Sequence, residues 1–179
     1  MAGSPQRIGQ DISSAPQAPS IKTVSLNGRT VQEGRLSSIN VTGPVEGGGT
    51  LRYDVAWREV LGGAAYAASF EVPADRLSRF ESGGPLARIE IELGPGADVT
   101  VRTPNPELLR QAARGTPGAA LGDEREPIVL QRLCAGALPA GDPRLGRLSW
   151  ELSARDRERA EAQRARALSR GAPSRGRCG

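Results

Sequence analysis

Histidine is missing from this sequence altogether. That absence removes both the side chain that titrates near neutral pH and the commonest metal ligand, so Ser-His-Asp hydrolysis and histidine-held zinc are not expected. Cysteine is confined to Cys134 and Cys178, which have no CxxC spacing. Neither a thiolate cluster nor a redox pair of the thioredoxin kind follows from that arrangement, and the expectation is one buried thiol and one thiol in the tail. Aromatic residues are scarce: Tyr53, Trp57, Tyr66, Phe70, Phe80 and Trp150 are the whole set. With hydrophobic residues at 37%, below the usual ~45 to 50%, the core has to be built from Ala, Val, Leu and Ile. Its stabilisation is small enough that support from a partner or from self-association is expected.

Long apolar runs are absent too. No stretch approaches the ~18 residues of a membrane span, and residues 1–20 lack the apolar segment of a secretory signal. A cytoplasmic or particle-associated protein is therefore expected. Asn40-Val41-Thr42 matches the N-glycosylation acceptor pattern; outside a secretory context it is expected to be a chance match. No GxSxG nucleophile motif, no Asp-rich calcium loop and no phosphate-binding GxxxxGK[ST] occurs. The VEGGGT stretch, Val45 to Thr50, reads as a strand connection. Glu90 and Glu92 project from one side of a single strand, as paired carboxylates or hard-metal ligands would, but an exposed acidic stripe is the expectation.

What the sequence does contain is alternation. Residues 1–20, with Pro5, Pro16 and Pro19 among Ser, Gln and Gly, read as a flexible arm. From residue 21 to 104, short runs of period two are broken by turn signals, predicting a mainly β fold. The expected form is an antiparallel β-sandwich or barrel of about seven strands in a hairpin meander. Three turns set its register. Asn27-Gly28 places Val24 opposite Val31 and Lys22 opposite Glu33. Gly62-Gly63 places Val55 opposite Phe70, Trp57 opposite Ala68 and Tyr53 opposite Val72, which centres the core on this hairpin. Gly94-Pro95-Gly96 sets Leu93 against Ala97, Ile91 against Val99 and Ile89 against Val101, while leaving the unfavourable outer pairs Glu92 with Asp98 and Arg88 with Arg102. RLSSINVTG supplies a further strand, and Leu77 and Phe80 are spaced for a helical turn.

Two or three helices are expected after Pro104. Asn105 caps a short one that Pro106 opens and Gly115 stops. In PIVLQRLCAGAL, Leu130, Leu133, Cys134 and Ala137 fall at helical spacing, with Ile128-Val129-Leu130 as a strand the alternative. Residues 105–148 thus form a helical extension containing a mobile connector, and residues 149–179 an Arg-rich helix, beginning near Asp142-Pro143 or Ser149, with a disordered tail.

Charge is concentrated at that end. Residues 21–104 hold nine basic and ten acidic side chains, whereas residues 149–179 hold eight arginines against four acids. Lys22 is the only lysine, and the arginine bias equally fits a GC-rich coding sequence. Leu145, Leu148 and Leu152 form one apolar stripe beside Trp150. Beyond it the helix is a solvated barrel laced by Glu151–Arg155, Arg157–Glu161, Asp156–Arg159 and Glu161–Arg164. The expected function is a non-catalytic structural or assembly protein, of the kind found in virions or phage-like particles, docking a protein partner or a second copy through Leu148, Trp150 and Leu152. The alternative is a nucleic-acid-binding accessory protein contacting phosphate through Arg164, Arg166, Arg175 and Arg177. No cofactor, metal, membrane or small-molecule substrate is expected.

Overall fold

Alternation in sequence becomes alternation in burial. In LARIEIEL, residues 86–93, Ala87, Ile89, Ile91 and Leu93 are buried and the residues between them are half-buried. The computed structural model describes residue 5 and residues 7–36, 38–44, 49–79, 86–113, 126–149 and 151–178. Phe80, Gly115, most of the VEGGGT stretch and the connector after α1 lie outside them.

The chain runs β1 (Arg7–Ser14), β2 (Ser20–Leu26), β3 (Arg29–Arg35), β4 (Ile39–Pro44), β5 (Thr50–Glu59), β6 (Ala65–Pro73), a 3-10 turn (Ala74–Arg76), β7 (Ser78–Arg79), β8 (Leu86–Leu93), β9 (Asp98–Thr103), α1 (Pro106–Ala113), β10 (Ile128–Cys134), β11 (Gly136–Ala137), α2 (Arg144–Arg147) and α3 (Ala154–Ser169). The fold is mainly β, in two sheets. The first has the order β10-β9-β8-β1-β4, with β7 also paired to β8; the second has the order β11-β6-β5-β2-β3. It is not a single closed barrel; among the described residues the span expected to hold about seven strands contains eight, β2 to β9, and β1, β10 and β11 lie outside it. Ile8, Ile12, Ile89, Ile91 and Val99 of the first sheet share one buried cluster with Val24, Leu51, Tyr53, Trp57 and Phe70 of the second.

The largest correction concerns the N-terminus. Residues 7–14, read as part of a flexible arm, form β1 inside the first sheet, parallel to β8 over eight rungs and antiparallel to β4 over six. Ile8, Gln10 and Ile12 are buried, and Tyr53 donates its hydroxyl to Gln10 Oε1 at 3.2 Å. RIGQDISS alternates as clearly as any other strand. The prolines that suggested disorder flank it rather than interrupt it.

Hairpin faces match expectation while registers slip by two. Tyr53 faces Phe70, Val55 faces Ala68 and Trp57 faces Tyr66. Because side chains repeat every second residue, a two-residue slip keeps each on its original side. In the third hairpin Leu93 faces Val99 and Ile91 faces Val101, and the same slip removes the like-charge pairs. Glu90 now lies opposite Arg102, whose guanidinium meets Glu92 at 2.7 Å.

Two other differences come from bulges. β10 is a strand, not a helix, and its register jumps between Val129 and Gln131, leaving Leu130 as the extra residue. That insertion lets Leu130 and Leu133, three apart, both pack on the core, a spacing that imitates a helix. β3 carries two register shifts against β2, so Val24 faces Gln32 and Lys22 faces Arg35. At the second, Gly34 has φ +58°, donates its N–H to Thr23 Oγ1 at 3.1 Å, and lies so close to the Arg147 carbonyl that a Cβ would sit 2.6 Å from its oxygen. A side chain there would push α2 off the sheet. By contrast α1 begins as expected, with the Asn105 side chain accepting the Glu107 N–H at 3.0 Å.

Lys22, on the same side of β2 as Val24, is fully buried. Its Nζ donates to the carbonyls of Leu36 at 3.0 Å and Ser20 at 3.2 Å. Desolvation lowers its pKa to about 8 from 10.5. Between those values the unfolded chain holds a proton that the folded chain has released, so stability rises with pH across that window. Above pH 10 the buried Tyr53 phenol, pushed up by desolvation, acts in the opposite sense. Chemical denaturation of the protein is therefore expected to show a gain of about 2 kcal/mol from pH 8 to pH 10. Lys22→Met should flatten that slope; an equal slope in the variant would remove Lys22 as its cause.

Candidate functional site

The outer face of the second sheet is where the C-terminal segment settles. Asp142 starts it: its carboxylate accepts from Arg144 N, Nε and NH2 at 2.8 to 2.9 Å. Those bonds hold its pKa down at about 2. After the short α2, the Leu148 carbonyl accepts from Arg58 Nε of β5 at 2.7 Å. Leu148 is wholly buried in a second cluster with Ile21, Ala56, Val60 and Ala160, against which Leu152 packs. Leu148 is therefore covered by its own chain, and Leu152 is half-buried beside it. Trp150 lies outside the described residues.

Ser153 then opens α3. Its hydroxyl oxygen accepts the Asp156 N–H at 3.1 Å and its O–H reaches Asp156 Oδ2 at 2.7 Å, the capping arrangement that satisfies an otherwise unpaired first-turn donor. Ala160 is the only side chain of α3 in the buried class. So small a residue lets the helix lie close to the sheet through a narrow stripe and leaves the remaining faces towards solvent. Among the described residues, ion pairs lie on the two sheets, on α1 and at Asp142–Arg144. The four pairs expected along α3 are not among them.

The solvent-facing sides of α3 are not equivalent. One borders an open groove of about 810 Å³ whose far wall is the β1–β2 turn at Pro16 and Gln17. Arg159, Gln163, Arg166 and Arg170 line the helical wall, with Glu158 the one acid among the lining residues. They recur at intervals of four, three and four, the spacing of one helical face. Arg164, by contrast, borders a different groove with Arg157, Glu161 and Leu168. The proposed phosphate contacts thus do not form one patch. Arg166 gains Arg159 and Arg170 as neighbours along the groove, a grouping encoded in helical spacing and not in the arginine content of the tail.

The tail is held on the opposite side of the molecule. Cys178 forms a disulfide with Cys134 at the end of β10, correcting the expectation of two separate thiols. Asp98 Oδ1 accepts the Cys178 N–H at 2.8 Å and Oδ2 the Arg177 N–H at 2.7 Å. Gly176 passes so close to the Pro95 carbonyl that any side chain would collide with it. Residues 176–178 are thereby fixed on the first sheet instead of trailing as a disordered tail. The Arg177 side chain joins Arg102 and Arg132 in a cleft that also contains Glu92, Asp98 and Glu126; Arg175 is exposed. Asp98 and the two sulfurs are close enough to resemble a ligand set. Sulfurs bonded to each other, however, are not thiolates, and the carboxylate already accepts two backbone donors.

The geometry defines a β-protein with an arginine-lined groove, an anchored tail and a Glu90/Glu92 stripe neutralised in part by Arg102. Compared with protein-family models, with curated proteins and with solved structures, the chain gives no match.

The disulfide closes a loop over a sequence separation of 44. Loop-closure entropy assigns such a link about 4 kcal/mol at 25 °C. Cys134→Ser with Cys178→Ser is expected to lower stability by roughly 2 to 4 kcal/mol and to expose residues after α3 to limited proteolysis. Unchanged protease resistance of the C-terminus would show that Asp98 and Gly176 hold it unaided.

Proposed function

We propose that the chain is a non-catalytic assembly protein, its two sheets stacked as a β-sandwich, which recognises an acidic segment of a partner protein in the groove beside α3. The observation that carries this reading is the alignment of Arg159, Arg166 and Arg170 along one wall of that groove. Each guanidinium offers donors in a planar fork suited to carboxylates, and Gln17 and Gln163 add neutral donors and acceptors between them. The apolar contribution is small, because Leu148 and Ala160 are engaged by the protein's own sheet. Recognition on this account is electrostatic, with specificity set by the spacing of the arginines.

Nucleic acid is the second reading, through the same arginines. Glu158 within the groove opposes a phosphate backbone and an acidic peptide alike, and among the described residues no aromatic side chain lines the groove to stack on a base. That second feature favours a peptide. The disulfide suits an oxidising setting, outside a cell, in a secretory compartment or on a particle surface. No helix among the described residues is long and apolar enough to cross a membrane.

Fluorescence anisotropy with a labelled oligoglutamate peptide and an oligothymidylate of equal length tests the proposal. The peptide should bind with an affinity that falls as salt rises. Combined Arg159→Glu, Arg166→Glu and Arg170→Glu substitution should weaken it by about tenfold or more, with the circular dichroism spectrum unchanged. Arg175→Glu should leave it unaltered. Preferential binding of the oligonucleotide would transfer the assignment to nucleic acid, and peptide binding indifferent to the triple reversal would exclude the groove.

A further inference from the structure

We propose that Asn40 is an acceptor for an N-linked oligosaccharide. Asn40-Val41-Thr42 has the acceptor amide, a residue other than proline, and a hydroxyl two positions on, and it is the sole such triplet in the chain. In sequence alone the pattern carries little weight. Two structural observations, neither depending on the function proposed above, give it meaning.

The first is place. Asn40 and Thr42 are both exposed, on β4, the edge strand of the first sheet. They lie in register with Asp11 and Gly9 of β1. Val41 lies opposite Gln10, whose side chain turns into the core, so the alternation of the strand sends Asn40 and Thr42 to the outer face. A glycan on Asn40 would extend into solvent without displacing any packed residue. The strand INVTGP carries no charge, and an uncharged exposed edge invites pairing with another chain. Bulky, solvated sugar beside it is one means of shielding such an edge.

The second is compartment. Both cysteines of the chain are joined to each other, and structural disulfides persist where the surroundings are oxidising. The endoplasmic reticulum supplies that condition together with the co-reactant, an oligosaccharide linked through pyrophosphate to a membrane lipid. In the transfer, Asn40 Nδ2 forms a bond to C1 of the reducing-end sugar. The bond between C1 and the pyrophosphate oxygen breaks, the lipid pyrophosphate leaves with the electron pair, and the amide proton passes to a base of the transferase.

Translation of the full chain behind a cleavable secretory leader, in the presence of microsomes, reads this without requiring any variant to fold. The protease-protected wild-type chain should carry one glycan removable by an endoglycosidase. Asn40→Gln and Thr42→Ala should each abolish it, and Thr42→Ser should retain it. After secretion from cells, mass spectrometry should find the glycan on Asn40 and the Cys134–Cys178 bond in the same molecules. A translocated wild-type chain without glycan, a glycan that persists in Asn40→Gln, or a secreted disulfide-bonded chain bare at Asn40 would each overturn the proposal.

Discussion

The first sheet is continuous because β1 lies between β8 and β4. Its eight parallel rungs to β8 and six antiparallel rungs to β4 are what attach β4 to that sheet. Ile8 and Ile12 add their side chains to the shared core, and Gln10 reaches across it to the Tyr53 hydroxyl. A strand from the extreme of the chain thus sits in the interior of a sheet whose other members come from residues 39–44 and from 78 onward. Parallel pairing needs a crossover connection, and here everything from β2 to β7 serves as that connection. Four of the five strands of the second sheet, β2, β3, β5 and β6, lie within it.

That ordering explains the character of the C-terminal segment. Once β1, β8 and their neighbours have closed over the inner face of the second sheet, its outer face still presents Ile21, Ala56 and Val60. Leu148 and Ala160 cover them, and the Arg58 side chain fixes the approach through the Leu148 carbonyl. Beyond this point the chain crosses to the first sheet and ends in the disulfide. α3 is therefore held before its start, in its first half and after its end. A helix without a continuous apolar seam is still held in one orientation, and its arginines keep a fixed relation to the β1–β2 turn.

How much of this the sequence disclosed depends on the range of the interaction. Local rules succeeded: the Asn105 cap, the faces of β5, β6, β8 and β9, and Trp57 and Tyr53 at the core were all legible. The two-residue slips in the hairpins were not, because period two is blind to an even shift. Bulges defeated the pattern directly. The extra residue at Leu130 gave a strand the spacing of a helix, and the shifts in β3 put Arg35 in place of Glu33 opposite Lys22. Long-range partners were invisible in principle. Nothing in RIGQDISS names β8 as its neighbour, and two cysteines separated by 44 residues carry no geometric signal until β10 and the tail are placed side by side. The grouping of Arg159, Arg166 and Arg170 was present as helical spacing but was masked by counting tail arginines together.

Closure of both sheet faces has a consequence for recognition. Among the described residues the exposed large hydrophobics are Val41, Ile128 and Val129, and they sit on the two opposite edges of the first sheet. Ile128 and Val129 are neighbours on β10 and Val41 lies on β4 at the other edge, so these three do not join into one apolar patch. The contacts of Leu148 and Ala160 with the second sheet set the orientation of α3. Binding through the arginines leaves those contacts intact. The same packing that engages Leu148 and Ala160 thus leaves the arginines of α3, held at fixed helical spacing, on the sides of the helix that face solvent.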